Sequence, residues 1–150
     1  MVQRIYVGST DDFMMWRAVD ALGPIAHPRV LVVDDYPAGA DALQLLLEQD
    51  GFEACSTGDA CAAYALAEQW RPFAIVIDIA MPGMTGFELA RRFRVGALTR
   101  DMLLVAFTAR GSREDIARAF EAGFDGYCVK PLAPVRLLTL LQSVAGRSAP

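Results

Sequence analysis

Phe73-Ala74-Ile75-Val76-Ile77-Asp78, residues 73–78, decides the fold. Five apolar residues in a row, three of them β-branched, read as a strand inside a sheet, and a carboxylate ends the run. The next stretch changes character. Pro82 and Gly83 mark a loop, and an amphipathic helix is expected from about Gly86 to Val95. A buried strand, a polar terminus, a loop and a helix form one unit of an alternating α/β chain.

Working outward, the same unit recurs. Upstream, Arg29-Val30-Leu31-Val32-Val33 reads as a strand buried on both faces, and Asp34-Asp35 end it. Pro37 opens a helix to about Gln49, with Asp50-Gly51 at its stop. Phe52 to Ser56 is a weaker strand. Asp59 can cap a helix to about Trp70, which Arg71-Pro72 ends. Downstream, Met102 to Phe107 is a strong strand ending at Thr108. Ser112 caps a helix to about Ala122, with Glu114 and Asp115 in the first turn, where the helix dipole favours negative charge. Gly126 to Val129 is the last strand and ends at Lys130. Pro134 opens a final helix carrying Val135, Leu137, Leu138, Leu140 and Leu141. Five strands alternating with five helices predict a doubly wound parallel sheet joined by right-handed crossovers.

This places one domain at residues 29–145, with a short polar tail at 146–150 and an extension at 1–28. In the extension, Met1 to Val7 suit a short strand or a disordered tail. Ser9 or Thr10 can cap a helix over about residues 10–22. Asp11 and Asp12 fill its first turn and Gly23-Pro24 stop it. Met15, Ala18, Val19 and Leu22 share one face of that helix, and Phe13 and Trp16 add bulk. Such a face either docks a partner or a second copy, or packs on its own domain, or is incidental.

Composition sets further bounds. The chain has 150 residues, 54% hydrophobic and 21% charged, enough apolar content to bury a core. The net charge of −4 and scattered arginines disfavour direct nucleic-acid binding. The arginine bias reads as composition, not as a binding surface. No apolar run approaches the ~20 residues of a membrane span, and the start lacks the plan of a signal peptide, so a cytoplasmic protein is expected. Cys55, Cys61 and Cys128 lie in apolar segments and are expected to be buried thiols, neither a disulfide nor a metal site. The single histidine, His27, leaves no basis for a zinc site and little for a Ser-His-Asp or Cys-His triad. Flanked by Pro28, it is also a poor phosphorelay histidine. Trp70, Phe73 and Phe107 are expected to be packing residues, and Asp101 and Asp125 turn residues.

The polar residues that end the strands carry the chemistry. In open α/β sheets, ligands bind beyond the carboxyl ends of the strands. Asp34, Asp35, Asp78, Thr108 and Lys130 all fall there, and Lys130 is the only lysine among 14 basic residues. Three carboxylates on one rim repel one another unless a cation sits among them. All-oxygen ligands with few protein donors suit Mg²⁺, which shares its shell with waters and phosphate. A lysine and a hydroxyl complete a site for phosphoryl transfer, and one aspartate is a candidate nucleophile.

At this point the motifs resemble a known family. Val32-Val33-Asp34-Asp35, Asp78-Ile79-Ala80-Met81-Pro82-Gly83-Met84-Thr85-Gly86, Phe107-Thr108-Ala109 and Tyr127-Cys128-Val129-Lys130-Pro131 resemble the receiver domain of bacterial two-component response regulators, over about residues 29–145. The resemblance implies a flavodoxin-like five-stranded sheet of order 2-1-3-4-5, counted from the strand at Arg29. It implies that Asp78 is the phosphoacceptor. It further implies that Asp35, Asp78 and the backbone carbonyl of Ala80 bind Mg²⁺ directly, that Asp34 does so through water, and that Mn²⁺ can substitute. It makes Lys130 the phosphoryl-contacting lysine, with a cis bond to Pro131, and makes Thr108 and Tyr127 switch residues. The implied donor is a sensor histidine kinase or a histidine phosphotransfer protein. The implied output is a downstream protein, or a homodimer, on the face of the fourth helix, fifth strand and fifth helix. In this reading the chain is a signalling receiver and not an enzyme, apart from its own Mg²⁺-dependent phosphorylation and dephosphorylation. With no output domain expected after residue 145, it works through a partner, or as a relay intermediate or phosphate sink.

Three alternatives compete. A flavodoxin-like carrier needs a phosphate-cradling loop after the first strand, where this chain has Asp-Asp-Tyr-Pro. An aspartate phosphatase needs an acid/base residue two after its nucleophile, and that position is Ala80. A phosphorylation-independent receiver acting as a plain binding module usually lacks one of the acid, Thr or Lys residues, and all are present here. Ala80, without a polar side chain, and Arg110, two residues after Thr108, are expected to tune the lifetime of the phosphorylated form. Ala80→Asn is therefore expected to change the rate of dephosphorylation, measured as the half-life of the phospho-adduct by intact mass.

Overall fold

The strand at the centre of the sheet is Ala74–Ile77, and all four of its residues are buried. The structure, a computed structural model, describes residues 4–5, 13–16, 19–20, 28–130 and 134–145. In chain order its elements are β1 (Arg4–Ile5), β2 (Phe13–Met15), β3 (Val19–Asp20), β4 (Arg29–Val33), α1 (Pro37–Gln49), β5 (Glu53–Thr57), α2 (Ala60–Trp70), β6 (Ala74–Ile77), α3 (Gly86–Val95), β7 (Leu103–Thr108), α4 (Arg113–Ala122), β8 (Gly126–Val129) and α5 (Pro134–Val144).

The main sheet runs β2-β8-β7-β6-β4-β5. Its five strands from β5 to β8 are parallel, and β4 sits between β5 and β6, which is the 2-1-3-4-5 order expected from the motifs. Successive side chains on these strands point to opposite faces. Val30, Val32, Val76, Val105 and Cys128 pack with Leu43 and Leu47 of α1 and Leu137, Leu140 and Leu141 of α5. Leu31, Val33, Ile75, Ile77 and Leu104 pack with Ala63 of α2, Phe87 and Phe93 of α3 and Ala119 of α4. With α1 and α5 on one side and α2 to α4 on the other, the sheet is covered on both faces.

Helix starts follow the local chemistry. Asp59 accepts from the amides of Cys61 at 2.9 Å and Ala62 at 3.4 Å, Thr85 from Glu88 at 3.3 Å and Ser112 from Asp115 at 3.1 Å. At the end of α2, Arg71 takes the left-handed conformation (φ 56°) before Pro72 and closes the helix.

Three expectations need correction. The helix over residues 10–22 does not form. Residues 13–15 are instead a strand antiparallel to β8, pairing Phe13 with Cys128, Met14 with Tyr127 and Met15 with Gly126, while β3 pairs with β1. The reason is tertiary. The β8 edge offers a row of backbone partners, and alternation sends Met15 into the α1–α5 layer and Met14 and Trp16 into the other. Ala18 and Leu22, which favoured the helical spacing, lie outside the described residues. Second, the thiols are not all buried: Cys128 is, Cys55 is half-buried and Cys61 is exposed on the first turn of α2. Third, Asp125 is more than a turn residue.

Asp125 is 1% exposed, and its Oδ2 accepts from the Leu104 amide at 2.9 Å and from Arg94 Nη2 at 2.7 Å. Arg94 also donates to the carbonyls of Arg100, Met102 and Gly123. One guanidinium thus joins the end of α3, the end of α4 and the entry to β7. Asp125→Ala is expected to destabilise the fold by about 3–5 kcal/mol, because it leaves a mostly buried cation and an amide without their acceptor. The check is urea unfolding, with a lower midpoint and an unchanged m-value.

Candidate functional site

The parallel ladder delivers four strand ends to one rim. Val33 is level with Ile77, Ile77 with Ala106, and Thr108 with Val129. The residues just past these ends therefore meet. The ladder bonds continue beyond the strands: the Asp34 amide donates to the Thr57 carbonyl at 3.1 Å, that of Asp78 to Val33 at 2.8 Å, and that of Lys130 to Thr108 at 2.8 Å.

Asp34, Asp35 and Asp78 each offer a carboxylate oxygen, and these oxygens lie within 4.8 Å of one another. Asp34 is buried, Asp78 half-buried and Asp35 exposed. Asp34 Oδ1 accepts from the Tyr36 amide at 2.9 Å, and its Oδ2 accepts from Lys130 Nζ at 2.8 Å. Asp78 Oδ1 accepts from the Ala80 amide at 3.0 Å, while its Oδ2 lies 3.7 Å from Lys130 Nζ. One ammonium thus faces two of the three carboxylates. A dense group of hard oxygen donors, open to solvent on the Asp35 side, fits a divalent cation that keeps part of its water shell. The backbone beneath is tight. A Cβ at Gly86 would stand 2.6 Å from the Ile79 Cα and 2.8 Å from the Asp78 carbonyl oxygen, so the first residue of α3 must be glycine for α3 to press against the Asp78 loop.

The remaining residues from the sequence lie on the β7–β8 side. Thr108 is buried, and its Oγ1 accepts from the Arg110 amide at 3.3 Å. Arg110 does not reach over the acids. Its guanidinium grips Asp115 through Nε at 3.2 Å and Nη2 at 3.0 Å, and Ser112 Oγ donates to the same carboxylate at 2.8 Å. Tyr127 is buried, and its hydroxyl donates to the Arg110 carbonyl. Ala80 is exposed beside Asp78. The bond between Lys130 and Pro131 lies outside the described residues, because Pro131 does. Phe107, expected only to pack, also has its ring centroid 5.3 Å from Lys130 Nζ, which places an aromatic face beside the ammonium. Its place just before Thr108 was the available signal.

The fold and this rim define a class: a doubly wound receiver fold of the chemotaxis (CheY-like) type. The family's sequence model, described as the response regulator receiver domain, matches residues 30–142, and the chain belongs to that family, a signalling module of two-component systems. Among relatives, it is 35% identical over 123 residues to the phosphate regulon transcriptional regulatory protein PhoB of Escherichia coli (strain K12), covering 81% of this chain and 53% of that protein. It is 37% identical over 118 residues to an uncharacterized 14.6 kDa protein of Leptolyngbya boryana, covering 79% of this chain and 90% of that one. The chain spans about half the length of the PhoB relatives it matches. Among solved structures it is similar to the chemotaxis response regulator CheY4 of Vibrio cholerae, with TM-score 0.72, 31% identity and coverage of 79% of this chain and 98% of that one. It is also similar to the receiver domain of the sensor histidine kinase PA1611 of Pseudomonas aeruginosa, whose structure has a magnesium ion coordinated in the active site cleft, with TM-score 0.73, 27% identity and coverage of 81% and 99%. No helix among the described residues is long and apolar enough to cross a membrane.

Tyr127 supplies a pH test of the geometry. Burial pushes its phenol well above the usual tyrosine range, the nearby Asp115 and Asp78 carboxylates add to the rise, and Arg110 opposes it. At pH of about 10, where free tyrosine is half ionised, Tyr127 is expected to stay neutral in the folded protein. The unfolded chain then releases a proton that the folded chain retains, so stability falls as pH rises past this point. Tyr127→Phe is expected to flatten that fall and to leave the native phenolate absorbance at this pH unchanged.

Proposed function

We propose that this chain is a phosphorylation-dependent signalling receiver whose phosphoacceptor is Asp78. The observation that carries the reading is Lys130 Nζ standing 2.8 Å from Asp34 Oδ2 and 3.7 Å from Asp78 Oδ2, beside three carboxylates gathered within 4.8 Å. The donor is the phosphohistidine of a sensor kinase or a histidine phosphotransfer protein.

The two oxygens of Asp78 differ. Oδ1 is held by the Ala80 amide, which fixes the carboxylate and leaves Oδ2 as the nucleophile. A lone pair on Oδ2 forms the new O–P bond as the P–N bond to imidazole breaks, and the pair from that bond stays on the ring nitrogen, which takes a proton from water. The protein contributes position and charge more than covalent chemistry. Lys130 turns from Asp34 toward a phosphoryl oxygen, as a compact ammonium can. Thr108, whose Oγ1 accepts from the Arg110 amide, donates its hydroxyl hydrogen to another. A divalent cation held by Asp34, Asp35, Asp78 and the Ala80 backbone carbonyl, Mg²⁺ with Mn²⁺ as a substitute, would neutralise carboxylate and phosphoryl oxygens together. The magnesium in the similar PA1611 receiver domain supports this.

The added phosphoryl charge redistributes the bonds of Thr108 and Lys130, and the surface of α4, β8 and α5 carries the change to a downstream protein. We place this activity in the cytoplasm. The test is intact-mass analysis after acetyl phosphate and Mg²⁺. One phosphoryl adduct is expected, lost with EDTA and lost in Asp78→Ala. No adduct on the folded protein would overturn the reading in favour of a phosphorylation-independent binding module.

A further inference from the structure

The β8 edge of the sheet is taken by the chain itself. Met14 is registered against Tyr127 and Met15 against Gly126, and the Trp16 amide extends the pairing by donating to the Asp125 carbonyl at 3.1 Å. Met15 is 5% exposed in the α1–α5 layer. On the opposite face the Trp16 ring stands edge-on to Tyr127, with centroids 6.4 Å apart, and edge-on to Phe120 of α4 at 5.5 Å.

A second observation points the same way. A Cβ at Gly126 would meet Met15 Sδ at 2.5 Å and the Met14 carbonyl oxygen at 3.1 Å, and its three nearest atoms all belong to residues 14 and 15. A side chain at this position of β8 would displace the Met15 thioether and crowd the Met14 backbone. The fit is nonetheless partial. A cleft of about 340 Å³ remains between this segment and α4, lined by Met14, Trp16, Arg113, Ile116, Ala117 and Phe120, and Phe120 stays 58% exposed. Sheet pairing, the buried Met15 side chain and one partly exposed indole ring hold the segment, a small set of contacts for an element that opens locally.

Tyr127 is the residue this segment covers. The phenol is tied on its inner side to the Arg110 carbonyl, and Trp16 flanks the ring on the side of β2. We propose that residues 13–16 are an intramolecular strap that closes the β8 edge and pins Tyr127 inward, so that edge and ring are released together. A partner adding a strand at β8 must first displace this strap. The proposal goes beyond the phosphoryl reading and does not depend on it.

The test uses the full chain labelled with 3-fluorotyrosine, the Tyr127 resonance being assigned by its loss in Tyr127→Phe, with hydrogen exchange followed by mass spectrometry. In the wild type, the amides of Met14 and Trp16, which face β8, are expected to be protected and Tyr127 to give one shifted resonance. Gly126→Val should raise exchange at Met14 and Trp16 about tenfold and move the Tyr127 resonance toward its unfolded position. Trp16→Ser, which alters only a partly exposed ring, should move the Tyr127 resonance in the same direction and guards against a folding defect in the first variant. Unprotected amides at Met14 and Trp16 in the wild type would overturn the strap. So would a Tyr127 resonance unmoved in both variants, or a wild-type dimer, by light scattering, whose copies exchange residues 13–16.

Discussion

Three carboxylates within 4.8 Å repel one another, and much of this domain is arranged around holding them there. The parallel ladder does the first part, since it sets the ends of β4 and β6 level and those of β7 and β8 two residues further along the same rim. A slip of one residue in any of these strands would exchange its side chains between the two helix layers and shift its polar terminus along the rim. Local amides do the second part, with Tyr36 fixing one oxygen of Asp34 and Ala80 one of Asp78. Lys130 does the third. Its ammonium crosses from the far strand to Asp34, so the acid pair of β4 and the end of β8 are joined by charge as well as through the sheet. Arginine, with its planar fork, would offer a poorer match to a point between two carboxylates.

The β7–β8 half is built differently. Its polar groups are satisfied by one another: Arg110 by Asp115, Asp115 by Ser112, the Tyr127 hydroxyl by the Arg110 carbonyl. Arg94 and Asp125 fasten the other end of the same strands. These two strands are thus tied at both ends, by the Arg94–Asp125 pair at their start and by the bonds of one short loop after β7 at the rim.

Much of this was readable from residues alone. The apolar runs at 73–77 and 102–107, the caps at Asp59 and Ser112, and the polar residues closing each strand identified the sheet and its rim, because each depends on local spacing. What escaped depends on contacts distant in sequence. Residues 13–16 have helical spacing with their neighbours, but their structure is decided by an edge more than a hundred residues later. Asp125 stands where turn aspartates are common, and nothing nearby shows that Arg94 comes back to it. The reach of Arg110 toward Asp115, away from the acids, is likewise set by the turn into α4 and not by its distance from Thr108.

The sixth strand also bears on how the molecule behaves in a crowd. An unpaired edge is a template on which other sheets can grow, and β8, four residues long, would offer a short one if bare. Residues 13–15 pair with it and leave a still shorter strand at the margin. The described part of the extension thereby moves the open edge of the sheet onto residues that lie outside the repeating βα pattern.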